Sequence, residues 1–197
     1  MKLIMATGNK NKIREVRQIL QDTDIEVISM SDAGIDIEIE ESGKTFEENA
    51  KLKAETIRDL TNLPVMADDS GLIIDAMPDE LGVYSARFMG EDTPYAVKNQ
   101  EILNRLNNVP TNRRSARFIC TIAIAYPDKE TQIFEGLFEG RIAYEAVGNN
   151  GFGYDPIFYV PEKGCTSAQL TEEEKNKISH RGKALAKAVE ELKKINF

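Results

Sequence analysis

Residues 3–20 switch their apolar period within one short stretch, and that switch limits the folds open to the chain. Leu3-Ile4-Met5-Ala6 is an unbroken apolar run, Gly8-Asn9 interrupts it, and Ile13, Val16, Ile19 and Leu20 then recur on one helical face. The pattern predicts a strand over 3–7 and a helix from about Lys10 to Leu20. The alternation continues. A second strand is expected at Ile25–Ser29. Thr45-Phe46-Glu47-Glu48 has the form of a capping box and opens a helix to about Leu60, stopped at Asn62-Leu63-Pro64. Val65-Met66-Ala67 reads as a short strand delivering Asp68 and Asp69 to a Ser70-Gly71 turn, with Leu72-Ile73-Ile74 leaving it. Thr93-Pro94 starts a helix that reaches about Leu106. Ser115–Tyr126 and Thr131–Ile142 pair most simply as a β-hairpin. Thr171-Glu172-Glu173-Glu174 repeats the capping-box pattern, and a final helix carries Leu185, Val189, Leu192 and Ile195. Helices alternating with strands, plus one hairpin, predict an α/β protein with a mixed sheet. The acidic stretch 36–43 is an edge strand or a loop.

A chain of 197 residues can bury its core as a single domain over 1–197, or as two lobes that share a sheet. Its net charge of -8 disfavours binding along a nucleic-acid polymer, which draws on a broad basic surface. A small anion needs only a local cluster of donors, and the cations are clustered: Lys10, Lys12 and Arg14 near the start, then Lys175, Lys177, His180, Arg181 and Lys183 near the end. The opening apolar run is too short for a secretory signal, and no run is long enough to cross a bilayer, so a cytosolic location is expected. Cys120 and Cys165 make neither a disulfide framework nor a thiolate metal site.

Four groups of residues could carry chemistry. Thr7-Gly8-Asn9-Lys10-Asn11-Lys12 lies where a strand meets a helix N-terminus, a place whose free amides attract phosphate; it lacks the Walker A spacing, and a solvated helix start is its other reading. Glu40, Glu41, Asp68 and Asp69 form an oxygen-rich set suited to Mg²⁺, while Asp-Asp-Ser-Gly is also the composition of a plain turn. Gly148–Pro156 is a Gly-rich loop in which Phe152 could stack on a purine and Asp155 could accept from it, or whose aromatics simply fold into the core. Lys175 and Ser179-His180-Arg181-Gly182-Lys183 contain the one histidine of the sequence beside a guanidinium able to meet a phosphate or a base carbonyl.

Taken in order, TGNKNKIREV at 7–16, SGKTFEENAKLKAE at 42–55, ADDSGL at 67–72, GVYSARF at 82–88, GFGYDPIF at 151–158 and LTEEEKNKISHRGKAL at 170–185 closely resemble the inosine/xanthosine triphosphate pyrophosphatases over nearly the whole chain. The resemblance implies a long mixed sheet with flanking helices, two lobes around a substrate cleft, and a homodimer. It implies Mg²⁺-dependent hydrolysis of ITP, dITP and XTP to the monophosphate and pyrophosphate, which keeps these nucleotides out of DNA and RNA. It places triphosphate binding on Thr7, Gly8, Asn9, Lys10, Asn11, Lys12 and Lys53, and metal binding on Glu40 and Asp69. Asp69 is also the implied proton acceptor and Ser70 a substrate contact. Base recognition falls on Phe152, Gly153, Tyr154, Asp155, Lys175, His180 and Arg181. Glu41 stands beside Glu40 as an alternative ligand, and Asp68 beside Asp69 as an alternative base.

Overall fold

The computed structural model describes residues 2–193; Ile195, counted above as the last apolar position of the final helix, lies outside them. Among the described residues the strands are β1 (Lys2–Met5), β2 (Glu26–Ser29), β3 (Val65–Ile74), β4 (Ser115–Ala125), β5 (Gln132–Ile142), β6 (Phe158–Val160) and β7 (Cys165–Thr166). The α-helices are α1 (Lys10–Leu20), α2 (Phe46–Thr61), α3 (Tyr95–Arg105), α4 (Glu172–Ile178) and α5 (His180–Leu192). The strands form one open sheet in the order β2-β1-β3-β4-β5-β6-β7. It is mixed: β1 pairs in parallel with β2 and β3, whereas β5–β6 and β6–β7 are antiparallel. The Ile142 amide donates to the Arg114 carbonyl (2.9 Å), joining the start of β4 to the end of β5 as a hairpin requires.

The chain divides into two compact units, the first Met1–Asp69, Cys120–Gly136 and Arg181–Phe197, the second Ser70–Ile119 and Leu137–His180. In the first, alternate strand residues feed two separate cores. Leu3, Met5, Met66, Cys120, Ile122 and Ile124 pack with Val16 and Leu20 of α1 and Leu185 and Ala188 of α5. Ile4, Ala6, Val65, Ala67, Ala123 and Ala125 pack with Ala50, Ala54 and Ile57 of α2. This is the period of two of an extended strand covered on both faces. The second unit has its own core, including Leu72, Ile74, Phe88, Ile102, Phe118, Phe138, Tyr154 and Phe158.

Helix ends follow their caps. Asn9 caps α1, and Thr45 and Thr171 close full capping boxes with Glu48 and Glu174. Pro94 sits at the N-cap of α3, one residue before the helical turn expected to contain it. Residues 36–43 contain no strand, so the loop reading holds there. One expectation fails outright: Ser70-Gly71 is not a turn, and Val65 to Ile74 run as one continuous strand. A Cβ on Gly71 would lie 2.1 Å from the Gly82 carbonyl oxygen. Glycine is there to let another backbone come close, not to reverse the chain.

Candidate functional site

Because Asp68 and Asp69 sit inside a strand, their side chains leave on opposite faces. Asp68 follows Met66 toward α1 and α5; Asp69 follows Val65 and Ala67 toward α2. Each meets different partners.

Asp68 is fully buried. One of its oxygens accepts from Arg181 Nη2 (3.0 Å) and Nε (3.3 Å) and pairs with Lys12 (3.1 Å), and the Cys120 thiol lies 3.9 Å away. Burial alone would raise its pKa, but Lys12, Arg181 and Lys53 outweigh it and hold the carboxyl well below the usual range. The other end of the Arg181 guanidinium pairs with Glu15 of α1. Burial opposes that charge too, and Asp68 and Glu15 overcome it, raising the pKa. Cys120, buried beside Asp68, is pushed up to about 12.

Asp69 is 4% exposed and accepts from Asn49 Nδ2 (3.0 Å). Its pKa is raised, chiefly by burial, and the Glu41 charge adds to the rise while Lys53, Lys12 and the Asn49 bond oppose it. Lys53 ties the two halves together, its ammonium donating to Glu41 Oε1 (2.5 Å) and to the Asp68 carbonyl (2.8 Å). Asn49 and Lys53 are four residues apart on α2, which puts them on one face. The Asn49 oxygen also accepts from the Gly43 amide (2.8 Å), fastening the loop that carries Glu41. Glu40 is exposed; the carboxylate brought to Lys53 and toward Asp69 is that of Glu41.

In the loop before α1, Thr7 Oγ1 accepts from the Asn9 amide (3.2 Å), and Asn9 Oδ1 accepts from the amides of Asn11 (3.0 Å) and Lys12 (3.3 Å). Gly8, Asn9 and Lys10 are exposed, and a Cβ at Gly8 would meet nothing within 4 Å. This helix start is open, with the Lys12 side chain beneath it on Asp68.

A metal would find two carboxylates here, Asp69 and Glu41, and no group of three or more His, Cys, Asp or Glu among the described residues. Linked through these contacts, the carboxylates Glu15, Glu41, Asp68 and Asp69 outnumber the cations Lys12, Lys53 and Arg181 by one. A hard divalent ion that keeps waters and takes phosphate oxygens fits that donor set.

The remaining expected residues lie in the second unit, apart from Arg181. Asp155 is buried: one oxygen accepts from the Phe152 amide (2.9 Å) and Lys175 (2.7 Å), the other from Ser167 Oγ (2.9 Å). A Cβ on Gly151, at φ +73°, would come 2.2 Å from the Asp155 carboxylate. Asp155 and Lys175 thus hold the 151–155 loop closed on itself. Phe152 is half-buried with the Lys175 ammonium 5.0 Å from its ring centre. Tyr154 is buried, its hydroxyl on the Ser85 carbonyl. His180 opens α5 and stacks on Phe118, centroids 4.9 Å apart.

Sequence reasoning passed over Asn49 and Glu15. Asn49 stood inside the 42–55 motif, one helical turn before Lys53; Glu15 stood one turn after Lys12. Spacing alone would have put each pair on a shared face.

An open helix start beside a buried carboxylate–ammonium cluster, carried on an α/β sheet, is an arrangement suited to proteins that take a phosphorylated ligand. Residues 3–191 match the model of the Ham1 family, and the chain belongs to that family. It is 46% identical to the dITP/XTP pyrophosphatase of Listeria monocytogenes serotype 4b (strain F2365), across 98% of this chain and 96% of that relative. It is 50% identical to the dITP/XTP pyrophosphatase of Halalkalibacterium halodurans, across 92% and 94%. A solved HAM1 protein from Coxiella burnetii superposes with a TM-score of 0.88 at 41% identity, covering 99% of this chain and all of that one (100%).

Proposed function

We propose that this chain is a Mg²⁺-dependent dITP/XTP pyrophosphatase, hydrolysing ITP, dITP and XTP between the α- and β-phosphates to a nucleoside monophosphate and pyrophosphate. The observation that carries the reading is the division of labour at Asp68 and Asp69. One carboxylate pairs with Lys12 and Arg181, with Lys53 on the carbonyl of the same residue, and the other has its pKa raised by burial and is oriented by Asn49. Phosphoryl transfer asks mainly for positioning and charge neutralisation. Lys12 and Lys53, held on Asp68, would meet phosphate charge together with Lys10 and the open amides of the Thr7–Lys12 loop. Asp69 would orient water and take its proton. Asp69 and Glu41 would hold Mg²⁺, whose contribution when bound is to neutralise phosphate oxygens; Glu41 replaces Glu40 in this role because its carboxylate is the one beside Lys53.

Base selection is assigned to the 151–155 loop with Ser70 and His180. Phe152 offers a ring for stacking, and the loop amides and His180 offer donors to the 6-oxo group that hypoxanthine and xanthine carry and adenine lacks. A buried donor left unmatched by adenine costs about 1–3 kcal/mol, roughly tenfold or more in discrimination per contact. Asp155 and Lys175 act by holding this loop, and Arg181 by holding Asp68. A homodimer is part of the proposal, and the exposed Tyr84, Met89 and Val97 offer apolar surface for it. So is a cytoplasmic location; among the described residues no helix is long and apolar enough to cross a membrane.

Asp69→Asn keeps the shape and the Asn49 contact but cannot take a proton. Turnover of dITP should fall to background while nucleotide binding, followed by calorimetry, stays within a few-fold of wild type. Near-normal turnover would remove Asp69 from the chemistry. Chelation should abolish wild-type turnover and added Mg²⁺ restore it.

A further inference from the structure

The motif Gly82-Val83-Tyr84-Ser85-Ala86-Arg87-Phe88 has no part in the nucleotide site proposed above, yet the second unit fastens it at several points. Ser85 is 4% exposed. Its hydroxyl accepts from the Leu72 amide (2.9 Å) and has one proton to give, with the Gly82 carbonyl at 2.6 Å and the Leu72 carbonyl at 3.1 Å. Gly71 is pressed against the same place: a Cβ there would lie 2.7 Å from Ser85 Oγ as well as against Gly82. The Ser85 carbonyl accepts from the Tyr154 hydroxyl at 2.6 Å, and the next carbonyl, Ala86, accepts from Lys98 of α3 at 2.6 Å. Helix α3 closes the circuit. The Tyr95 ring meets Tyr154 edge-on with centroids 5.1 Å apart, and Asn99 Nδ2 donates to the Gly153 carbonyl (3.1 Å).

From this geometry we propose that Ser85 is a positioning residue, fixing the Ser70-Gly71-Leu72 backbone through its hydroxyl and, through its carbonyl and Tyr154, the 151–155 loop that recognises the base. The proposal rests on the nucleotide pyrophosphatase reading of the site. Ser85 touches no reacting atom; it acts by sharing one short segment between two backbones that each carry a substrate contact, Ser70 on one and Phe152-Gly153 on the other. A side chain that merely fills the core would be replaceable by any group of its size. A hydroxyl with a backbone amide on one side and a backbone carbonyl on the other, next to a glycine that tolerates no Cβ, is fixed in chemistry as well as volume.

The test uses the full chain with dITP and Mg²⁺, comparing wild type, Ser85→Ala, Tyr154→Phe and the double variant. Each single change removes one hydroxyl from a buried chain of bonds and should raise KM about fivefold or more, with kcat lowered no more than about twofold, because ground-state and transition-state binding are weakened alike. The double variant should raise KM by less than the product of the two, since both act on one segment. A purely structural role lowers the melting temperature and leaves the KM of both single variants within twofold of wild type, which overturns the proposal. Tyr154→Phe keeps its ring in place, so the test survives a poorly folding Ser85→Ala. Failure of wild type to release pyrophosphate from dITP overturns the reading of the site itself, and the proposal with it.

Discussion

Adjacent residues on an extended strand point to opposite faces, and at 68 and 69 that alternation sends two carboxylates into different environments. Asp68 is surrounded by Lys12, Arg181 and the Lys53 bond to its carbonyl; Asp69 sees Asn49, Lys53 and the charge of Glu41. Arg181 shows how far such roles escape local sequence. Beside His180 it reads as a ligand contact, but the Asp68 partner that claims it lies 113 residues away in the chain. Arg181→Ala removes the shared partner of two buried carboxylates, and breaking buried pairs of this kind costs about 3–5 kcal/mol. Denaturant unfolding should register a loss of that order; a change under 1 kcal/mol would mean that Asp68 and Glu15 do not depend on it. Cys120 offers a second check at this scale. With its thiol pushed up to about 12 it is neutral at pH 8, so a thiol-specific reagent should label the half-buried Cys165 first and Cys120 only as fast as the fold opens. Rapid labelling of both would contradict the buried setting.

The helices were legible because their signals are local. Apolar spacing gave α1 its span, Lys10–Leu20, and Thr45 with Glu48 gave α2 its start. The stretch 36–43 admits two readings because its alternation of Ile and acidic residues suits a strand edge as well as a solvated loop. The continuity of β3 is hidden for a different reason. Asp, Ser and Gly are turn formers, and only the approach of Gly82 reveals that Gly71 serves a close backbone contact inside a straight strand. Gly71→Ala must push Gly82 or the strand aside, and it should cost about 1–3 kcal/mol of stability by unfolding measurements, as overpacking does elsewhere. A neutral substitution would show that segment 82–85 yields easily, against its part in holding Ser70.

Across the whole molecule, the -8 charge and the proposed phosphate site are compatible because Lys12, Lys53 and Arg181 are concentrated around one strand, not spread over a surface. The sequence motifs identified the loops and strand that bear the candidate residues. They did not reveal which of these side chains pair with one another, since Asp155 with Lys175, and Arg181 with Asp68 and Glu15, are pairings across 20 or more positions. The central claim is that the molecule cuts deaminated purine triphosphates at the α–β bond. A panel of dITP, XTP, ATP, GTP and UTP with Mg²⁺, scored separately for pyrophosphate and orthophosphate, tests it most directly. The account predicts stoichiometric pyrophosphate and monophosphate from dITP and XTP, with kcat/KM at least about tenfold above that for ATP. Release of orthophosphate, or equal turnover across the panel, would contradict it.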